Sequence, residues 1–160
     1  VNDFNKKVIY KFLEEGNLIF HQLFEASPHV FISAKNPLAK QDFVTLSDLI
    51  PYPYLSFEQG DYNSFYFSEE ILSTISRPKN ITVSDRATLF NLLIGLNGYT
   101  ISTGVISHKL NSKEIVAVPL LVDERITVGY ITHKNVKNSP LANIYIEYLK
   151  ASIEEEQNKV

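Results

Sequence analysis

"VSDRATLFNLLIGLNGYTIS", residues 83–102, decides how this chain is read. The hydroxyl of Ser84 can accept a bond from an otherwise unpaired backbone N–H of a first helical turn, so the stretch predicts an N-cap at Ser84 and a helix over 85–96. Asn97-Gly98 stops that helix, and Tyr99 to Ser102 then reads as a strand. "NITV", 80–83, is a short strand immediately before it. A strand, a capped helix and a second strand in so short a run argue for an α/β domain with a largely parallel sheet.

The same alternation extends in both directions. Residues 5–15 set Val8, Ile9, Phe12 and Leu13 at helical spacing and meet Gly16 where a C-cap belongs. Runs 18–24 and 29–34 are strand-like and are separated by Ser27-Pro28, as a hairpin or as two successive strands. A loop leads to a brief helix from Thr45 that Pro51 ends, and then to a strand over 54–57. A helix is expected over 63–76, with Phe67, Ile71, Leu72 and Ile75 on one face. Thr103-Gly104 opens a short helical piece toward His108, and strands follow at 114–120 and 125–132. Ser139-Pro140 starts a closing helix over 139–155, whose buried stripe is Leu141, Ile144, Tyr145, Tyr148, Leu149 and Ile153.

With 160 residues, 44% of them hydrophobic, the chain can build one ordinary globular domain or two small lobes. Its net charge of −3 and scattered Lys/Arg offer no basic face for nucleic acid. The absence of cysteine excludes disulfides, thiolate nucleophiles and Cys-ligated zinc, and fits a reducing, cytoplasmic setting. The N-terminus is charged and amphipathic and no apolar run approaches membrane length, so neither a signal peptide nor a membrane span is expected. A first residue of Val and the lack of any Met suggest a piece of a longer protein.

Chemistry of the catalytic kind finds no foothold. His21, His29, His108 and His133 lack ligand spacing, so no metal site is expected. Carboxylates cluster only at 154–157, a solvated helix end rather than an acid/base pair. No nucleophile elbow, phosphate loop or dinucleotide fingerprint occurs, and so no catalytic residue and no cofactor is expected.

The order of these motifs resembles the C-terminal effector-binding domain of LysR-type bacterial transcriptional regulators. "LFEASPHVFISAKNPLAKQDFVTLSDLIPYPYLSF" is similar to the family's strand, Asn-Pro-Leu-Ala turn, Val-x-Leu-x-Asp-Leu helix and apolar strand. "VSDRATLFNLLIGLNGYTISTGVI" is similar to its helix that ends in a glycine break, here less glycine-rich because Leu96-Asn97 stands at the first glycine position. "IVAVPLLVDERITVGYITHKNVKNSPLANIYIEYLKASI" is similar to the return strand, basic turn and closing helix. The match covers 18–153. "VSDRATLFNLLIGLNGYTISTG" in particular resembles regulators of sulfur amino-acid and methionine metabolism.

The resemblance implies a periplasmic-binding-protein-like (type 2), two-lobed α/β fold. On it, 1–35 are part of the first lobe and a crossover strand, 36–119 are the second lobe nearly whole, and 120–160 return to the first lobe. It also implies a small-molecule effector in the cleft, a homo-oligomer, and DNA contact only through an N-terminal helix-turn-helix domain outside these residues. A solute-binding protein of a transport system shares this architecture and is the alternative; a small α/β enzyme is a third possibility.

In open α/β sheets ligands sit beyond the carboxyl ends of the strands. The segments so placed are 56–60, with Ser56, Glu58, Gln59 and Gly60; 84–86, with Ser84 and Asp85; and 102–104, with Ser102 and Thr103. The resemblance adds Ser33 and again Ser84, which match positions where family members present a hydroxyl to the effector. Asp85 would repel an anion and Glu58 would attract an ammonium group, so an amino-acid-like effector suits both charges, and the resemblance to sulfur-metabolism regulators implies a sulfur metabolite as another effector.

Overall fold

The computed structural model describes residues 1–2, 5–58, 71–72, 75–106 and 113–157. Helix α1 (Lys6–Glu15) ends at Gly16, and the left-handed backbone that reverses the chain falls on Asn17, at φ 53°. Asparagine tolerates that conformation better than other side-chain-bearing residues. Strands β1 (Leu18–Ala26) and β2 (His29–Ser33) follow, joined by Ser27-Pro28. A 3-10 turn, Pro37–Lys40, is held by Asn36, whose Oδ1 accepts the Leu38 N–H at 2.9 Å. Helix α2 (Leu46–Leu49) starts on a reciprocal cap. There the Thr45 N–H donates to the Asp48 carboxylate at 2.8 Å, and the Asp48 N–H donates to Thr45 Oγ1 at 3.4 Å. Then come β3 (Tyr54–Phe57), β4 (Asn80–Val83), α3 (Arg86–Gly95), β5 (Tyr99–Ser102), β6 (Ile115–Pro119), β7 (Ile126–His133) and α4 (Pro140–Gln157).

These strands form two sheets. β1 and β7 pair antiparallel as a two-stranded ribbon, and the others form a five-stranded sheet in the order β4-β3-β5-β2-β6. β3 is parallel to both β4 and β5, whereas β2 is antiparallel to both β5 and β6. The sheet is therefore mixed rather than largely parallel: β3, β4, β5 and β6 run one way and β2 the other. β2 is reached from the ribbon through two residues, with no crossover helix to fix its direction. Ser27-Pro28 thus joins successive strands of different sheets and makes no hairpin.

Alternation along the strands divides the core. Val30, Ile32, Tyr54, Ile101 and Val118 bury on one face with Leu49 of α2. Phe31, Leu55, Val83 and Ile115 bury on the other under Leu89 and Leu93 of α3, four residues apart on one helical stripe. Covering both faces of a sheet in this way removes its apolar side chains from water, the main favourable contribution to folding.

Four expectations change or fall partly outside the described residues. The cap of α3 is Asp85, not Ser84: Asp85 has extended backbone and its Oδ1 accepts the Thr88 N–H at 2.8 Å, while Ser84 is exposed one residue outside the cap. A carboxylate facing the positive helix end is a charged acceptor, stronger than a hydroxyl. The helix expected over 63–76 lies largely outside the described residues, and it does not run through Leu72, whose φ of 57° is left-handed. The helical piece toward His108 is also only partly described; 103–106 are irregular, with Gly104 at φ 81°. Finally, the stripe of α4 is rotated. Ala142, Ile146, Leu149 and Ile153 are half-buried, whereas Leu141, Ile144, Tyr145 and Tyr148 are exposed. The helix carries apolar residues on two sides, and only one of them is half-buried.

The end of α3 follows the expectation. Asn97 takes the left-handed φ of 54°, and at Gly98 an added Cβ would lie 2.9 Å from the Pro53 carbonyl oxygen and 3.1 Å from Leu55. Glycine is required there because β5 enters the sheet against β3 with no room for a side chain.

Candidate functional site

Because β3, β4, β5 and β6 run in one direction, their carboxyl ends reach a single edge of the sheet. A cavity of about 340 Å³ lies off that edge. Phe57 closes β3, Ser102 closes β5, and Arg86 and Phe90 come from the first two turns of α3. Residues from both core faces meet in its wall, Phe31 and Leu89 from one, Ile71 and Ile101 from the other. Ile126, the first residue of β7, also lines it, so the cavity touches the ribbon as well as the larger sheet.

Two of the residues chosen from sequence, Ser102 and Thr103, line the cavity beside Thr100. The turn holding Thr103 is fixed by close packing: a Cβ on Gly104 would come within 2.6 Å of the His29 ring. The Thr103 hydroxyl accepts the Val105 N–H at 3.3 Å, which orients it further. His29 is in turn paired in register with Ser102, and its Nδ1 lies 2.9 Å from the Ser27 carbonyl.

The other candidates among the described residues do not line this wall. Ser56 is buried, with its hydroxyl directed to β4, 3.4 Å from Asn80 Oδ1 and 3.3 Å from Thr82 Oγ1. Glu58, just past β3, is exposed and anchored through its backbone, its N–H donating to the Val83 carbonyl at 2.8 Å. Gln59 and Gly60 lie outside the described residues. Ser84 is exposed, and Asp85 holds the Thr88 N–H, which keeps its carboxyl below the usual carboxylate range. Ser33 stands at the opposite edge of the sheet. It is the last residue of β2, four positions from His29, and four strand residues span roughly 13 Å. Its buried hydroxyl accepts the Lys35 N–H at 3.2 Å. That far edge is closed by Arg77, which lies 3.8 Å over the Tyr54 ring and donates to the Tyr99 hydroxyl at 3.2 Å. Burial pushes the Tyr99 hydroxyl pKa up, and the Arg77 charge opposes it.

Arg86 is the site residue that sequence reasoning leaves out. It sits inside the 84–86 segment, yet attention there falls on Ser84 and Asp85 as cap candidates. Its guanidinium carbon lies 4.7 Å from the centre of the Phe90 ring, one helical turn on. Among the described residues that line the cavity it is the one ionisable side chain. The wall therefore offers a cation, three hydroxyls and a majority of apolar surface, the composition of a small-molecule site.

Two links join the larger sheet to the ribbon, 27–28 and 120–125. Arg125 donates to Ser27 Oγ at 2.6 Å and so ties one link to the other. The start of β7 is also flanked by the chain terminus, through the Thr127 N–H to Val1 carbonyl bond at 2.7 Å.

The profile of the LysR substrate binding domain matches residues 8–154. Among solved structures, the chain is similar to the BenM effector binding domain with its effector benzoate, at 20% identity and a TM-score of 0.62, covering 96% of this chain and 77% of that one. It is similar to the effector binding domain of QuiR in complex with shikimate, at 18% identity and a TM-score of 0.56, covering 94% and 78%. HinK, a LysR family transcriptional regulator from Pseudomonas aeruginosa, matches at 14% identity and a TM-score of 0.58, covering 85% of this chain and 48% of its own. The chain thus spans about half the length of that regulator. No curated protein matches the sequence. These likenesses carry the fold, which is the periplasmic-binding-protein-like type 2 α/β fold. Among the described residues, no helix is long and apolar enough to cross a membrane.

Proposed function

The chain belongs to the LysR substrate-binding-domain family, and from that premise we propose that it is the effector-sensing part of a DNA-binding transcriptional regulator. Its ligand is a small metabolite held in the cavity at the ends of β3 and β5. The observation that carries this reading is the composition of the cavity wall, in which Ser102 and Arg86 of the larger sheet's side meet Ile126 of the ribbon. A ligand there touches both sheets, so its binding energy differs between arrangements that bring them closer or farther apart, and such a difference is what shifts a conformational equilibrium. Residues 36–119 serve as most of the second lobe, 120–160 return to the first, and 1–35 supply part of the first lobe and the crossover strand β2, which lies in the five-stranded sheet. Its solved relatives include transcriptional regulators, and benzoate and shikimate are bound by two of them; a molecule of that size suits about 340 Å³. DNA contact falls to a helix-turn-helix domain, since the scattered charges of this chain supply no basic face, and a homo-oligomer transmits the change to it.

The test is a thermal-shift screen of small carboxylates, amino acids and sulfur metabolites. A binder raises the melting midpoint in step with the logarithm of its concentration over Kd. Ser102→Phe, which fills the cavity, abolishes the shift, and Ser84→Ala leaves it intact. A shift that survives Ser102→Phe would place the ligand elsewhere and end this reading.

A further inference from the structure

We infer that His29 is a positioning residue that ties the cavity wall to both links between the two sheets. The inference rests on the cavity being the effector site, as proposed above, and adds how that site reaches the links. His29 stands two residues before Phe31 on β2, so the two side chains share a face of the sheet, and Phe31 lines the cavity. The register partner of His29 on β5, Ser102, lines it too. Thr103 follows in the wall, and Gly104 then turns the chain at φ 81°. A Cβ on Gly104 would lie 2.6 Å from both Cγ and Nδ1 of His29, so the loop backbone is laid against the imidazole with no side chain between them. Movement of the 102–104 backbone toward β2 therefore meets the ring directly.

The same ring holds a link. Nδ1 lies 2.9 Å from the Ser27 carbonyl oxygen, which can only accept, so Nδ1 carries the ring proton. The Ser27 hydroxyl accepts from Arg125 at 2.6 Å, and Arg125 immediately precedes Ile126, the ribbon residue of the cavity wall. Pro28 completes the junction, because its carbonyl accepts the Leu120 N–H at 3.0 Å. One imidazole thus stands between the loop that bears Ser102 and Thr103 and the link 27–28, and Ser27 passes the constraint to the longer link 120–125. The contacts are contiguous from the wall to the links, as a physical coupling between a site and a hinge requires, and each can be cut by itself.

The experiment uses the 160-residue chain and needs no ligand. Gly104→Ala sets a methyl group against the ring and stands in for movement of the cavity loop. Amide exchange is followed by NMR at Leu120, whose N–H the Pro28 carbonyl holds, and at Leu55 within β3 as the reference. A side chain at a left-handed position costs stability whatever the ring does, and that loss speeds both amides alike, so their ratio is what counts. Gly104→Ala is expected to speed Leu120 relative to Leu55 by about five- to tenfold, the factor that accompanies loss of one hydrogen bond. His29→Asn keeps an N–H donor near the place of Nδ1 and removes the bulk of the ring. It leaves the ratio unchanged by itself and cancels the effect of Gly104→Ala in the double variant. His29→Phe keeps a ring against Gly104 without the donor, and raises the ratio with residue 104 untouched. The inference is overturned if the effect of Gly104→Ala persists in the His29→Asn background, if Gly104→Ala leaves the ratio at the parent value, or if His29→Phe and His29→Asn give the same ratio. The last pair decides the matter even where Gly104→Ala does not fold. Failure of the cavity reading shows separately, as a thermal shift that survives Ser102→Phe, and leaves these exchange ratios as they are.

Discussion

The five-stranded sheet and the β1–β7 ribbon are written in the same apolar periodicities and reach opposite degrees of burial. Val30, Leu55 and Leu93 in and on the larger sheet have no exposed surface, whereas Ile131 of the ribbon and Phe12 and Tyr148 of the helices near it are 52%, 57% and 75% exposed. Periodicity selects which side chains share a face. Burial also needs an opposing layer. The larger sheet has α3 on one face and α2 with the 3-10 turn on the other, while the ribbon has two strands and α1 beside β1. A two-stranded ribbon is marginal by itself in water. Local cross-strand contacts hold it instead, such as His21 stacked on Tyr130 at 4.7 Å between ring centres, a pair in register.

The largest effect should come from cutting the better-covered region. Leu93→Ala removes a side chain with no exposure and leaves a cavity under α3. A cost of about 2–5 kcal/mol is expected in urea unfolding. Tyr148→Ala, at a position 75% exposed on α4, should change stability by no more than about 0.5 kcal/mol. Equal losses for the two would break the comparison and mean that the outer face of α4 is covered in solution.

A smaller effect tests whether the two regions open independently. Gly129 of β7 pairs with Gln22, and Phe24 pairs with Val128, so Leu23 forms a bulge. A Cβ on Gly129 would strike the His21 carbonyl oxygen and come within 2.5 Å of the Phe20 ring. Gly129→Ala should therefore destabilise the ribbon by about 1–3 kcal/mol. Amide exchange should accelerate across β1 and β7 and stay slow in β3 and β5. Acceleration by the same factor in both sheets would show that they open as one unit.

Most of the strands were legible because they are short apolar runs with Pro, Gly or Asn close to one end, and those boundaries survive folding almost residue for residue. What the sequence withheld is direction. Ser33 ends a strand, like Ser102, and the rule that ligands sit beyond strand carboxyl ends treats the two alike. Since β2 runs against β5, its carboxyl end lies at the wrong edge, and Ser33 stands far from the cavity. The pairing that decides this lies between residues about seventy apart, and no local signal carries it. Arg86 was missed for an electrostatic reason. A cation in the first turn opposes the helix dipole, so a search for favourable termini passes over it. Its placement follows from the ring of Phe90 and the cavity beside it.

The smallest effect concerns the single residue by which the expected and observed caps of α3 differ. Hydrogen bonding from Thr88 lowers the Asp85 pKa from its ordinary 3.8, so the folded-state value lies below the unfolded one. Such a group contributes stability in full above its unfolded pKa, and loses it as pH falls through the lowered folded value. Asp48 of α2, lowered by its bonds with Thr45, behaves in the same way and adds to the acid loss. At neutral pH, Asp85→Ala should reduce the melting midpoint by roughly 2–4 °C, as loss of one helix cap does in a chain of this size. That deficit should shrink below about pH 4, where the parent's own cap becomes protonated. Asp85→Asn keeps a neutral acceptor and should lose less stability between pH 7 and pH 3 than the parent does. Ser84→Ala should leave the midpoint unchanged throughout. If Ser84→Ala were instead the more damaging change, the cap would lie one residue earlier and the first turn would rotate by about 100°. Arg86 would then leave the cavity wall, so the melting curves of two cap variants also bear on which side chain meets the ligand.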